Sequence, residues 1–248
     1  GLIPVYVIET DGDLAALEVI LNANDLSEIR VRDRALYRRN PSGGGKTAID
    51  SSGTGMVFNP DPLTTAGVSY GGNYVDNNDQ NSSFLNNERQ SVVLEGISFV
   101  GGTFTLDGPY VSIDDALEPP SNPDPTSTTG VFDYLRADQE FEAVMCYYHI
   151  DHFQRYIQSL GFTNIFNGQL KVDPHGLSGQ DNSHFVGGST PRVAFGEGGV
   201  DDAEDADVII HEYGHALSSS ASPNSNSGSE RQGLDEGIGD YVGTSYSK

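Results

Sequence analysis

The 248-residue sequence predicts an α+β fold, with a β-rich N-terminal half followed by a long helix, a short sheet and two further helices. Three observations predict it. Apolar and polar residues alternate in short runs over residues 2 to 38, the period of half-buried strands, and residues 54 to 113 read as strands and turns. From about Val131 to Leu160 the period lengthens, and Phe141, Val144, Met145, Tyr148, His152, Tyr156 and Leu160 recur at steps of three and four. The segments from Asp205 to about Ser219 and from Gly233 to about Gly243 also read as helices.

Taken in order, VYVIE, ALEVILNA and IRVRDRALYRR within residues 2 to 38 read as strands of a small sheet. PSGGGK, from Pro41, is a flexible break and not a phosphate-binding loop, because no glycine precedes Gly45-Lys46-Thr47 at the required distance. SVVLEGISFVGGTFTLDGPYVSI reads as a meander with turns at Gly101-Gly102 and Asp107-Gly108. EPPSNPDPTSTTG, from Glu118, is a loop, and Gly161 ends the long helix that follows. NGQLKVDP gives a strand. DNSHFVGGSTPRVAFGEGG gives a loop, one short strand and a glycine-rich turn, and SSSASPNSNSGSE is a low-complexity loop.

Composition narrows the function. Thirty-six acidic residues against 13 basic ones leave a formal net charge of −23, which repels nucleic acid and anionic membrane surfaces, so neither is an expected partner. Solubility is the plain reading of that charge, and calcium binding by clustered carboxylates is the sharper one. The single cysteine, Cys146, excludes a disulfide within the chain and sits in an apolar run as a packing residue. So few cysteines fit the cytosol or a bacterial exported protein equally well.

VIIHEYGHALSSS, residues 208 to 220, carries the chemistry. His211 and His215 are four apart, so a helix stacks them on one face, where both can bind one zinc ion. Glu212 projects beside the metal and can take a proton from the attacking water. Val208, Ile209, Ile210, Ala216 and Leu217 give the same helix an apolar side for the core. Further on, GLDEGIGDYVG places Glu236 and Asp240 four apart on the next helix. Glu236 can be the third ligand, with the fourth position left open, and Asp240 can accept from the far nitrogen of a ligand histidine. His149 and His152 have a ligand spacing too, but with no third ligand nearby they read as packed or surface histidines.

His-Glu-Tyr-Gly-His followed by Glu-Gly-Ile-Gly-Asp resembles the thermolysin-like and fungalysin-like zinc metallopeptidases, the gluzincins. The likeness is specific over roughly residues 181 to 240 and thin elsewhere. It implies a zinc endopeptidase with one Zn2+ per chain, ligands His211, His215 and Glu236, general base Glu212 and supporting Asp240. It also implies an edge strand beside the cleft, where Asn182 and Ser183 hold a peptide or protein substrate, and a calcium role for Asp207. LIPVYVIETDGDLAALEVILNA is similar to the tail of the family's propeptide. Residues 1–45 are therefore expected to be a separate β-rich segment, removed or retained on maturation. Residues 46–248 are expected to be the N-terminal lobe of the catalytic domain, cut short before the helical C-terminal lobe. That lobe would carry the oxyanion-stabilising residue, for which His149, His152, His175 and His184 are the substitutes in this chain. Asp235 stands where many relatives have asparagine or glycine. The resemblance implies a secreted or cell-surface bacterial protein. Two other readings stay open here: a lobe that binds metal without catalysis, and a β-rich surface protein with incidental histidines.

Overall fold

The long helix organises the fold, because it is buried on nearly every side. The computed structural model describes residues 5–11, 16–22, 28–33, 49–115, 124–223 and 228–248. The break at Pro41, most of the loop from Glu118 and the centre of the Ser/Asn-rich loop lie outside the described residues. The chain divides into two units, Gly1–Lys46 and Thr47–Lys248.

In the first unit β1 (Val5–Asp11), β2 (Ala16–Asn22) and β3 (Glu28–Asp33) make an antiparallel sheet in that order. Ile8 lies opposite Val19, and Val19 opposite Val31, so one apolar column crosses the three strands.

In the second unit β4 (Ile49–Val57) pairs antiparallel with β5 (Gln90–Val100). Between them lie two short helices, α1 (Pro62–Ala66) and α2 (Ser83–Asn86), which the sequence reading missed. The signals were present: Asp61 caps the main-chain N–H groups of Leu63 and Thr64 with Pro62 just after it, and Ser82 caps Leu85. β6 (Thr103–Thr105) hairpins back on β5 through Gly101-Gly102. The meander then breaks. β7 (Val111–Ile113) leaves for a second sheet, because its partner there, β10 (Leu170–Asp173), is parallel and comes from far along the chain. β8 (Thr126–Ser127) and β9 (Val131–Phe132) complete a five-stranded sheet, β8-β6-β5-β4-β9.

α3 runs from Glu140 to Ser159 and not from Val131, because Val131 and Phe132 pair in parallel with Thr54 and Gly55 of β4. The expected core stripe also holds only in its first half. Tyr156 and Leu160 are exposed, and Ile150, Phe153 and Ile157 are buried instead. The helix packs against both sheets, so its inner half is buried beyond the width of an amphipathic stripe. Cys146 is fully buried within it.

Four polar side chains of α3 go into the core. Gln154 donates to Ile165 O at 3.0 Å and accepts from Tyr213 Oη at 2.7 Å. Asp151 pairs with Arg155 at 2.6 Å. His149 lies 2.9 Å from the carbonyl of Phe58 through Nε2 and 2.8 Å from Tyr246 Oη through Nδ1. A carbonyl only accepts, so Nε2 carries the proton and the tyrosine donates to Nδ1. The fourth, Glu142, has a buried oxygen, Oε2, with no hydrogen-bond partner.

His149 sets a pH dependence. Burial holds its pKa down to about 3, below the ordinary 6.5. The unfolded chain therefore takes up the proton first, and stability present above pH ~6.5 is lost as pH falls toward the folded value. Melting followed between pH 7.5 and 4 should show this loss, and His149→Gln should flatten it. An unchanged slope in the variant rejects the assignment.

The second sheet has the order β11-β12-β10-β7, with β11 (His184–Val186) antiparallel to β12 (Arg192–Ala194). Two strands therefore stand where one was expected, and β11 is the edge. A 3-10 turn, Asp202–Glu204, leads into α4 (Ala206–Ala221), and α5 (Ser229–Tyr246) packs on α4. Asp205 caps α4 by accepting from Asp207 N at 2.8 Å. The fold is thus mixed α and β, with two sheets, the central helix and a terminal helix pair making up the second unit.

Candidate metal centre

α4 has two faces. Ile209, Ile210, Tyr213, Ala216 and Leu217 are buried in the core, and Tyr213 meets Phe153 and Phe166 edge to face. The opposite face presents His211, Glu212 and His215. Both histidines are half-buried, with ring centroids 5.0 Å apart.

α5 brings the carboxylates. Glu236 Oε2 lies 3.3 Å from His211 Nε2 and 3.8 Å from His215 Nε2. One donor atom from each of His211, His215 and Glu236 falls within a sphere of mutual distances below 4.8 Å. Zinc bonds of about 2.0–2.1 Å in a tetrahedron place neighbouring ligand atoms ~3.3 Å apart, so this donor set fits zinc. The far nitrogens are also held. His211 Nδ1 is 3.0 Å from Asp240 Oδ1, and His215 Nδ1 is 3.1 Å from Asp235 Oδ2. The second contact is close in distance but its angle is not that of a hydrogen bond.

Asp235 takes a place beside the centre that its sequence position did not indicate. Read in the sequence as a departure from a pattern, it faces the second histidine and is itself fixed by Arg231 at 3.2 Å, one turn earlier. Burial raises its pKa, but Ser218, His215 and Arg231 together lower it below the usual carboxylate value. The available signal was the Arg231–Asp235 spacing of four.

Glycines let the two helices approach. A Cβ on Gly214 would meet Gly239 Cα and Val242 Cγ2 at 2.9 Å, and one on Gly239 would meet His211 Cε1 and Nδ1 at 2.9 Å. Gly239→Ala should therefore push the His211 ring or part the helices. Zinc affinity is expected to fall at least about tenfold, the scale for disturbing a ligand's support. Competition with a chromogenic chelator measures it, and wild-type affinity would refute the contact.

Glu212 is buried, with Oε2 free of any hydrogen-bond partner, while the carboxylate also accepts from Phe185 N–H. Burial first, then the charges of Glu236 and Asp202, raise its pKa to about 7 against the downward pull of the Phe185 N–H. A cation placed among these carboxylates favours their charged forms.

The histidine face, Glu212 and Glu236 open onto a cleft of about 590 Å³ whose other wall is residues Asp181 to Phe185. Asn182 is exposed there, and Ser183 donates its hydroxyl to Asp202 Oδ2. Of the four histidines named as substitutes for an oxyanion donor, His184 alone lines this cleft. His149 and His175 have both nitrogens engaged elsewhere, and His152 stacks on Tyr148.

Asp207 is not drawn into either group of candidate metal donors among the described residues; its carboxylate accepts from Ser247 Oγ. Models of protein families give no match to this chain, and neither do the curated proteins. Among the described residues no helix is long and apolar enough to cross a membrane.

Proposed function

We propose that the protein is a zinc-dependent endopeptidase of the thermolysin-like and fungalysin-like kind. One observation carries the reading. Two imidazoles from one helix and a carboxylate from the next converge on a common point, and a buried glutamate with a free oxygen stands beside them in an open cleft. Zinc, when bound, supplies Lewis acidity that polarises a carbonyl and lowers the pKa of water. His211, His215 and Glu236 hold it. Asp240 orients the His211 ring and keeps its ligating nitrogen free of a proton, and Asp235 places a carboxylate beside the far nitrogen of His215.

Glu212 accepts the proton of the attacking water on its free oxygen and returns it to the leaving amine. β11 is the edge strand of its sheet, and its residues His184 and Phe185 line the cleft, where an extended peptide can add as a further strand. Asn182 and the main chain of Ser183 lie at that edge, and Asp202 fixes Ser183 from behind. A secreted or cell-surface location belongs to the same reading.

A second reading is a lobe that binds zinc without catalysing. It is favoured by the exposure of Glu236 and Asp240, whose side chains are 65% and 78% exposed, so that side of the centre faces solvent. Metal content and turnover measured together decide between them. The peptidase reading expects one zinc per chain and hydrolysis of an unstructured protein that stops with a chelator and returns with zinc. Stoichiometric zinc without hydrolysis supports the second reading. No stoichiometric zinc at neutral pH sinks both.

A further inference from the structure

A second group of donors shares no residue with the zinc centre. Asp79, Glu142, Asp201 and Glu204 each offer an oxygen within 4.8 Å of the others. They come from three places: the loop after β4 and α1, the first turn of α3, and the 3-10 turn before α4 with the residue preceding it. Asp201 is 2% exposed, Glu142 3% and Glu204 5%.

Four oxygens in this group lack donors. Both oxygens of Asp201, Oε2 of Glu142 and Oε1 of Glu204 are buried without a hydrogen-bond partner. The Asp79 carboxyl beside Asp201 is another acceptor, so a bond between those two exists only when one of them keeps a proton. Arg136 cannot serve them, because its guanidinium is already divided. It donates to Glu204 Oε2 at 2.8 Å, to Asp76 O at 2.7 Å, to Asp76 Oδ1 and to Asp79 Oδ1 at 3.2 Å. His175 cannot either. It is 3.8 Å from Glu142 Oε2, and its nitrogens face Glu197 Oε1 at 2.8 Å and Gln139 O at 2.9 Å. Among the described residues Arg136 thus pairs with Asp76, Asp79 and Glu204 and with neither Glu142 nor Asp201.

We propose that Asp79, Glu142, Asp201 and Glu204 bind a calcium ion. The donors are all carboxylate oxygens, a hard set that suits calcium and not zinc. Four such oxygens are a partial shell, which main-chain oxygens and water complete to the usual six to eight. The ion ties the 76–80 loop to α3 and to the 3-10 turn. That turn carries Asp202, the partner of Ser183 in the cleft, and runs directly into the helix of His211 and His215. Calcium is thereby a structural support for the zinc centre, held by residues other than Asp207. Without it, burial and mutual repulsion raise the carboxyl pKa values of Asp201 and Glu204 above the ordinary range, so protons are its competitors.

The test uses the full chain stripped of metal, at pH 7.5, with calcium chloride as the probe and zinc absent throughout. Calorimetric titration should show one calcium per chain, and the melting temperature should rise by at least about 5 °C at saturation. Magnesium at the same concentration should give a smaller rise. Asp201→Asn and Glu142→Gln should each weaken calcium at least tenfold. Should Asp201→Asn fail to fold, Asp79→Asn, whose side chain is 35% exposed, makes the same comparison. The His211→Ala, His215→Ala double variant should keep the full calcium response, which separates this site from the zinc centre. The inference is overturned if the stripped wild type ignores calcium, if the site variants bind it normally, or if its effect vanishes in the double-histidine variant or in Asp207→Asn.

Discussion

On the proposed reading, Glu212→Gln should leave zinc bound and reduce peptide hydrolysis by roughly 10²–10⁴-fold, the range for losing a positioned proton-transfer group. The two halves of this result come from separate atoms. On that reading zinc would be held by His211, His215 and Glu236, whose donor atoms converge and none of which changes. The glutamine keeps an oxygen for the Phe185 N–H, so strand β11 beside the cleft stays in place. What disappears is the free, buried Oε2, the only part of Glu212 able to take a proton. Metal analysis should give the wild-type zinc content, and steady-state kinetics should place the loss in kcat. Turnover near wild type would remove Glu212 from the mechanism, and loss of zinc would mean the residue supports the metal instead.

Arg136→Met costs about 3–5 kcal/mol of stability, the usual range for breaking a buried ion pair on one side. Arg136 is 1% exposed and is the one guanidinium recorded among Asp76, Asp79 and Glu204 in the described residues. Burial alone would disfavour its charge, but the pull of Glu204 and Asp76 outweighs burial and raises its pKa. Removing it leaves buried carboxylates facing one another with no donor. Arg136→Lys should recover only part of the loss, because an ammonium cannot span Glu204, the Asp76 carbonyl and both aspartates as the planar fork does. Urea denaturation measures both variants. A cost below about 1 kcal/mol for Arg136→Met would show that the carboxylates are already neutralised by protons.

Much of the candidate metal centre was legible because its spacing is local. Four residues make about one turn, so His211 and His215 had to share a face once the segment was helical, and so did Glu236 and Asp240. The capped start at Asp205 and the apolar run behind the histidines made that helix readable as well. The short helices α1 and α2 were passed over because their caps stand in a stretch that otherwise reads as loop. The start of α3 was placed too early because Val131 and Phe132 belong to a strand whose partner lies some 77 residues back, which no local period reveals. The same holds for β7, taken as a third meander strand until its parallel partner β10 claims it.

The sequence by itself determined which side chains could meet a metal along each helix, and that the chain is acidic, β-rich early and helical late. Tertiary structure alone decided that Glu236 reaches both imidazoles, because Gly214 and Gly239 let the helices approach, and that Asp235 turns toward His215. It alone assembled Asp79, Glu142, Asp201 and Glu204 around one point. The physical reason is range: helix periodicity orders residues three or four apart, whereas a site joined across many tens of residues exists only after the core has closed.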